Sequence, residues 1–109
     1  MILDNVNPDD LYPTETKGPA VLGDMPYTIQ GTEHIYQGAY IATNERLILN
    51  VDMDGQFYYR SIRYDELQHI SHDESSVELR FDIGAFPISN IEKGDIAAFV
   101  DYVKAQAQL

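Results

Sequence analysis

The stretch from Gly38 to Ile70, GAYIATNERLILNVDMDGQFYYRSIRYDELQHI, most constrains what this chain can fold into. It reads as strand, tight turn, strand, second turn, strand, then a polar kink into another strand. Thr43, Asn44 and Glu45 interrupt an apolar run just before Arg46, and Asn tolerates a left-handed turn conformation while Thr and Asn side chains bond nearby backbone groups. This predicts a hairpin between Tyr40-Ile41-Ala42 and Leu47-Ile48-Leu49. Asp54-Gly55 supplies the next one, because Gly takes positive φ at no steric cost and Asp-Gly between apolar runs is a strong hairpin signal.

On either side the pattern is sheet, then helix. Residues 1–26, punctuated by Pro8, Pro13, Pro19 and Pro26, read as an irregular arm with one helical turn that Asn7-Pro8-Asp9-Asp10 opens and that runs through Tyr12 until Pro13 stops it, Leu3 and Ala20-Val21-Leu22 tucking against the domain. Residues 27–109 read as the domain proper. Tyr27-Thr28-Ile29 and His34-Ile35-Tyr36, split by Gln30-Gly31-Thr32, open it as a strand with a turn or bulge. Ile48 beside Leu47 and Leu49 implies a strand partly covered on both faces. Phe57 to Ile62 is β-prone, and Val77, Leu79 and Phe81 alternate with polar residues, the period of an antiparallel strand with one wet face. Asp82-Ile83-Gly84 reads as a turn, and Ala85 to Ser89 as a last strand in which Pro87 needs an edge or a position without a ladder bond. After Asn90 the period changes. Ile96, Phe99, Val100 and Val103 recur at helical spacing, and such a stripe must lie on the sheet or plug a barrel end.

A length of 109 residues predicts one domain, and the absence of cysteine removes disulfides, thiolate metal sites and thiol nucleophiles. The start lacks a basic segment followed by an apolar run, and no stretch is long and apolar enough to span a bilayer, so a soluble cytoplasmic protein is expected. Eighteen acidic against seven basic residues give a formal charge of −11, which repels phosphate backbones and anionic lipid surfaces. Nucleic-acid binding is therefore not expected. The same charge permits an alternative reading, an acidic inhibitor or nucleic-acid mimic that blocks a basic partner.

The run Gly38-Ala39-Tyr40-Ile41-Ala42-Thr43-Asn44-Glu45-Arg46-Leu47-Ile48 resembles the strand, Thr-Asn-x-Arg-Leu turn and strand of bacterial pleckstrin-homology-like and GRAM-like domains. Ile62-x-Tyr64-x-x-Leu67-x-x-Ile70 resembles the segment that follows in them, and Asp95 to Val100 their closing helix. The resemblance implies a mainly β fold with one C-terminal helix: a bent antiparallel barrel of about seven strands capped by that helix, a binding scaffold rather than an enzyme. Phosphoinositide-binding members carry cations between their first two strands. Between Tyr27 and Tyr40 this chain has no Lys or Arg, so no strong membrane or phosphoinositide binding is expected.

Other constellations read as structure. Asn50-x-Asp52-x-Asp54-Gly55 opens like a calcium loop, yet Ser61 stands where the bidentate Glu belongs, so a hairpin turn is expected. Ser71-His72-Asp73 carries the letters of a hydrolase triad, but triad members converge from separate elements. His34, His69 and His72 lack a ligand spacing. No catalytic, cofactor or metal site is expected. Arg46, Arg60 and Arg63 beside Tyr58, Tyr59 and Tyr64 form the candidate protein-binding face, since Arg and Tyr dominate binding hot spots; the competing reading pairs the arginines with Glu45, Asp65 and Glu66. The expected function is a protein-interaction module using an edge strand near Pro87, with an unidentified protein or a second copy as partner.

Overall fold

A computed structural model describes residues 3–109; the first two positions of the expected irregular arm lie outside the described residues. Strands β1 (Lys17–Ile29), β2 (Thr32–Thr43), β3 (Arg46–Met53) and β4 (Gln56–Arg63) form consecutive antiparallel pairs. Two of the turns between them rest on paired positive φ values, 51° and 79° at Gln30-Gly31 and 55° and 92° at Asp54-Gly55. Such turns match the right-handed twist of the strands they join. The third holds the expected register, with Tyr40 opposite Leu49, Ile41 opposite Ile48 and Ala42 opposite Leu47.

A 3-10 turn at Tyr64–Glu66 leads into β5 (Leu67–His72), β6 (Val77–Phe81) and the two-residue β7 (Gly84–Ala85), which form a second antiparallel sheet. The chain then crosses a corner. Ile88 exchanges hydrogen bonds with Val77 of β6, while β8 (Ser89–Lys93) pairs with β1 and closes the first sheet in the order β4-β3-β2-β1-β8. Pro87 sits at that corner between Phe86 and Ile88, whose N–H groups point at β6, so its missing donor removes no ladder bond. The expected last strand is thus split between the sheets, and strand continues to Lys93, past the expected change of period at Asn90.

The fold is mainly β with one C-terminal helix, as the pattern implied, but among the described residues it has eight strands in two sheets rather than a closed barrel. Between β4 and β5 the ladder stops because the Glu66 carboxylate takes the Arg63 N–H at 2.9 Å and the 3-10 turn intervenes. Helix α1 (Ile96–Ala107) packs on β1, β2 and β5. Asp95 caps it by accepting from the Ala98 N–H at 3.0 Å, and Phe99, Val100 and Val103 enter the core, Phe99 lying 6.5 Å from the Tyr40 ring. Gly94 enters the helix at φ 104° with its Cα against the Ala20 carbonyl, which no side chain allows.

Within residues 1–26 the expectation of irregular structure fails from Lys17 onward, where β1 begins. Pro19 lies in the bulge between the Lys17 and Ala20 pairings, and Pro26 lies beyond the β8 partners of β1, which end at Asp24, so neither interrupts a ladder. The preceding segment, Leu3–Thr16, contains a single 3-10 turn at Pro8–Asp10 and forms a strap across the outer face of the first sheet. Leu3 packs on Leu22 and Ala39, and Val6 on Ile41 and Ile48. That cover explains why β3 is buried on both faces. No helix among the described residues is long and apolar enough to cross a membrane.

Candidate functional site

Strand alternation decides where the expected face goes. Arg46 shares the outer face of β3 with Ile48 and Asn50, and the strap covers it to 5% exposure. Its Nε and Nη2 grip both carboxylate oxygens of Glu15, at 2.8 and 3.0 Å. Nη1 donates to Tyr59 Oη at 2.8 Å and Ser61 Oγ at 3.2 Å, and Nη2 to the Asp10 carbonyl at 3.0 Å, while the Tyr12 ring lies 4.1 Å from the guanidinium. A guanidinium has five N–H donors, and these contacts use all of them. Glu15 also accepts from Thr43 Oγ1 at 2.6 Å and from the Tyr12 N–H at 3.0 Å. Burial pushes the Glu15 carboxyl up, but the hydrogen bonds from Arg46, Thr43 and Tyr12 outweigh it and hold the group below its ordinary value. Asn44 finishes the latch, its side chain bracketing the strap between the Thr14 carbonyl and the Thr16 N–H. Glu15 escaped the sequence reading, since nothing in Thr14-Glu15-Thr16 marks it as a partner of a residue 31 positions away.

The other expected residues divide. Arg63 lies opposite Arg46 across the strands but is exposed, and pairs with Asp65 at 3.0 Å. Tyr64 is buried in the 3-10 turn, its hydroxyl donating to the Thr43 carbonyl, and burial raises its phenol. Tyr58 and Arg60 stand together on the opposite side of β4 from Tyr59. The six residues therefore occupy two sides of the sheet and its end, and Arg46 and Tyr64 are buried.

What the fold exposes is the edge of β4. Asp54-Gly55 is a two-residue turn, so Met53 and Gln56 form the hydrogen-bonded pair that closes it, and alternation sends the backbone groups of Gln56, Tyr58, Arg60 and Ile62 toward β3. Those of Phe57, Tyr59, Ser61 and Arg63 point away. Glu66 covers the Arg63 N–H, whereas the N–H groups of Phe57, Tyr59 and Ser61 have no hydrogen-bond partner among the described residues. Phe57, Tyr58 and Tyr59 are 47%, 41% and 48% exposed. Natural edges are blunted by proline, bulges or inward charges. Along β4 the register is unbroken and the sequence has no proline, and the one inner-side charge, Arg60, is exposed. Beside it Arg60, Ile62, Phe81, Ile83 and Phe86, with the acids Glu66 and Asp82, line a cleft of about 30 Å³, room for a water or two and far below a ligand pocket.

The remaining constellations have structural partners. Asp52 Oδ1 accepts from the Gly55 N–H at 2.8 Å, so the calcium-like motif is a hairpin turn. Asp73 Oδ1 accepts from the Ser75 and Ser76 N–H groups, which hold its carboxyl below the usual range. His34 stacks on Tyr36 at 5.8 Å. Among the described residues no group of three His, Asp or Glu side chains is placed to hold a metal. The β1–β2 and β3–β4 turns present Gln30, Gly31, Asp54 and Gly55, and no Lys or Arg occurs between Gly18 and Glu45.

Two antiparallel sheets joined at one corner, with a C-terminal helix packed on the strands, define a pleckstrin-homology-like domain. Residues 24–105 match the family model described as bacterial PH domain, and the chain belongs to that family. Among solved structures it is similar to the C-terminal domain of an unknown protein from Leishmania infantum, with a TM-score of 0.60 and 20% identity, over 87% of this chain and 86% of that one. This likeness is one of fold. No curated protein matches the sequence.

Proposed function

We propose that the protein is a non-enzymatic cytoplasmic interaction module that takes an extended protein segment as an added strand on β4. One observation carries this reading: an unbroken edge strand whose Phe57, Tyr59 and Ser61 backbone groups are unpaired among the described residues, flanked by exposed aromatic side chains. Main-chain bonds would supply affinity, and alternate side chains specificity. The edge is β4 rather than the expected one near Pro87, because the segment around Pro87 is already shared between β6 and β1. Arg60 and Tyr58 remain as side-chain contacts, whereas Arg46 has no donor left to offer.

The test uses isotope-labelled protein titrated with peptides selected against it from a random display library. Bound peptides should shift the Phe57, Tyr59 and Ser61 amides most, and Phe57→Pro, which deletes an outward N–H but no β3 bond, should weaken them. Selected peptides that map to another surface, or that bind the proline variant equally well, would refute the reading.

A further inference from the structure

We infer that the segment added at β4 is β4 of a second copy, giving an antiparallel dimer with one continuous sheet. The inference rests on the reading of β4 as the docking edge and names its occupant. Two features single out a second copy. The eight residues of β4, Gln56 to Arg63, contain no Asp or Glu, although the chain has 18. Repulsion between copies carrying −11 each is therefore least along this strand.

The second feature is self-complementarity. Only residues whose backbone points outward can exchange bonds across the edge, and the register that uses Phe57, Tyr59 and Ser61 together places Tyr59 opposite its own copy. Phe57 then lies opposite Ser61 in each direction, so three pairs each exchange two hydrogen bonds. The same register sets Tyr58 opposite Arg60 twice on the inner side, where a guanidinium over a phenol ring is attractive. It also brings Arg63 opposite Gly55 and beside Asp54 of the other copy. No two like charges stand directly opposite between Gly55 and Arg63, and the one close like pair is Arg60 with its own copy on the diagonal.

The experiment measures mass by sedimentation on the full chain, from micromolar to millimolar concentration, in low and high salt. A monomer–dimer equilibrium is expected, with dimer favoured by added salt because screening relieves the net repulsion. Phe57→Pro deletes one donor per copy and should raise the dissociation constant roughly tenfold or more at unchanged thermal stability. Arg60→Glu, which leaves the backbone intact and puts an acid opposite Tyr58, should weaken the dimer as well and serves if the proline variant fails to fold. Amide exchange at Phe57, Tyr59 and Ser61 should slow as concentration rises. A chain that stays monomeric in high salt overturns the inference, even where peptides still bind β4. A dimer insensitive to both substitutions overturns it too, and peptides that map elsewhere would then refute the edge reading separately.

Discussion

Replacing Glu15 with Ala tests the latch that holds the strap. The substitution removes the acceptor of four hydrogen bonds and leaves the Arg46 guanidinium, 5% exposed, with its Nε–H and one Nη2–H unpaired. Breaking a buried ion pair on one side costs about 3 to 5 kcal/mol, because the surviving charge stays desolvated. That is a large share of the roughly 5 to 15 kcal/mol that holds a domain folded. With a urea slope of about 2 kcal/mol per molar, the midpoint should fall by about 2 M, read by far-ultraviolet circular dichroism. Replacing both partners, Glu15→Leu with Arg46→Met, should recover most of the loss, since no charge is left buried. The pH dependence has a fixed sign. Glu15 is depressed below its ordinary value of 4.5, so its contribution is present above that pH and is lost as pH falls through the depressed value. The gap between wild type and Glu15→Ala should therefore close in acid. A single variant within about 1 kcal/mol of wild type at neutral pH, with residues 3–16 as protease-resistant as before, would refute the reasoning.

Removing residues 93–109 should abolish cooperative thermal unfolding, because Phe99, Val100 and Val103 each contribute roughly 1.5 to 3 kcal/mol of burial; a truncated chain that still melts cooperatively would make the helix an appendage. Gly94→Ala should lower stability by about 2 kcal/mol or more, since a Cβ there collides with the Ala20 backbone, whereas Gly55→Ala has open space and meets only the strain of its φ. Equal melting temperatures for the two variants would contradict the packing argument. Phosphoinositide vesicles should not be bound at physiological salt, because the β1–β2 and β3–β4 turns carry no cation. Sedimentation with vesicles that fades as salt is raised would overturn this.

Local chemistry made much of the fold legible. The Thr43-Asn44-Glu45 and Asp54-Gly55 turns and the stripe through Phe99, Val100 and Val103 appear where their residue types require. Strand β1 was hidden because Pro19 and Pro26 read as breakers, and their tolerance depends on where neighbouring strands end, which no local pattern records. The candidate site was legible as a set of residue types but not as a surface. Alternation along β3 puts Arg46 on the side of Ile48 and Asn50, yet that side becomes buried only because a strap from far along the chain lies over it. On β4 the same alternation separates Tyr58 and Arg60 from Tyr59, so neighbours in sequence point apart.

The corner at Pro87 has a kinetic side. Ser89 meets Asp24 across 65 residues, while the hairpins of the first sheet close over two or so. Loop-closure entropy grows as the logarithm of length, which sets that pairing about 3 kcal/mol behind a hairpin before any contact rewards it. The segment from Gly84 to Lys93 consequently has little to gain until β1 and β6 stand ready to receive it from both sides. Hairpins that form in microseconds then wait on long-range dockings, this corner and the seating of the C-terminal helix on β1 among them, and those set the time the chain takes to fold.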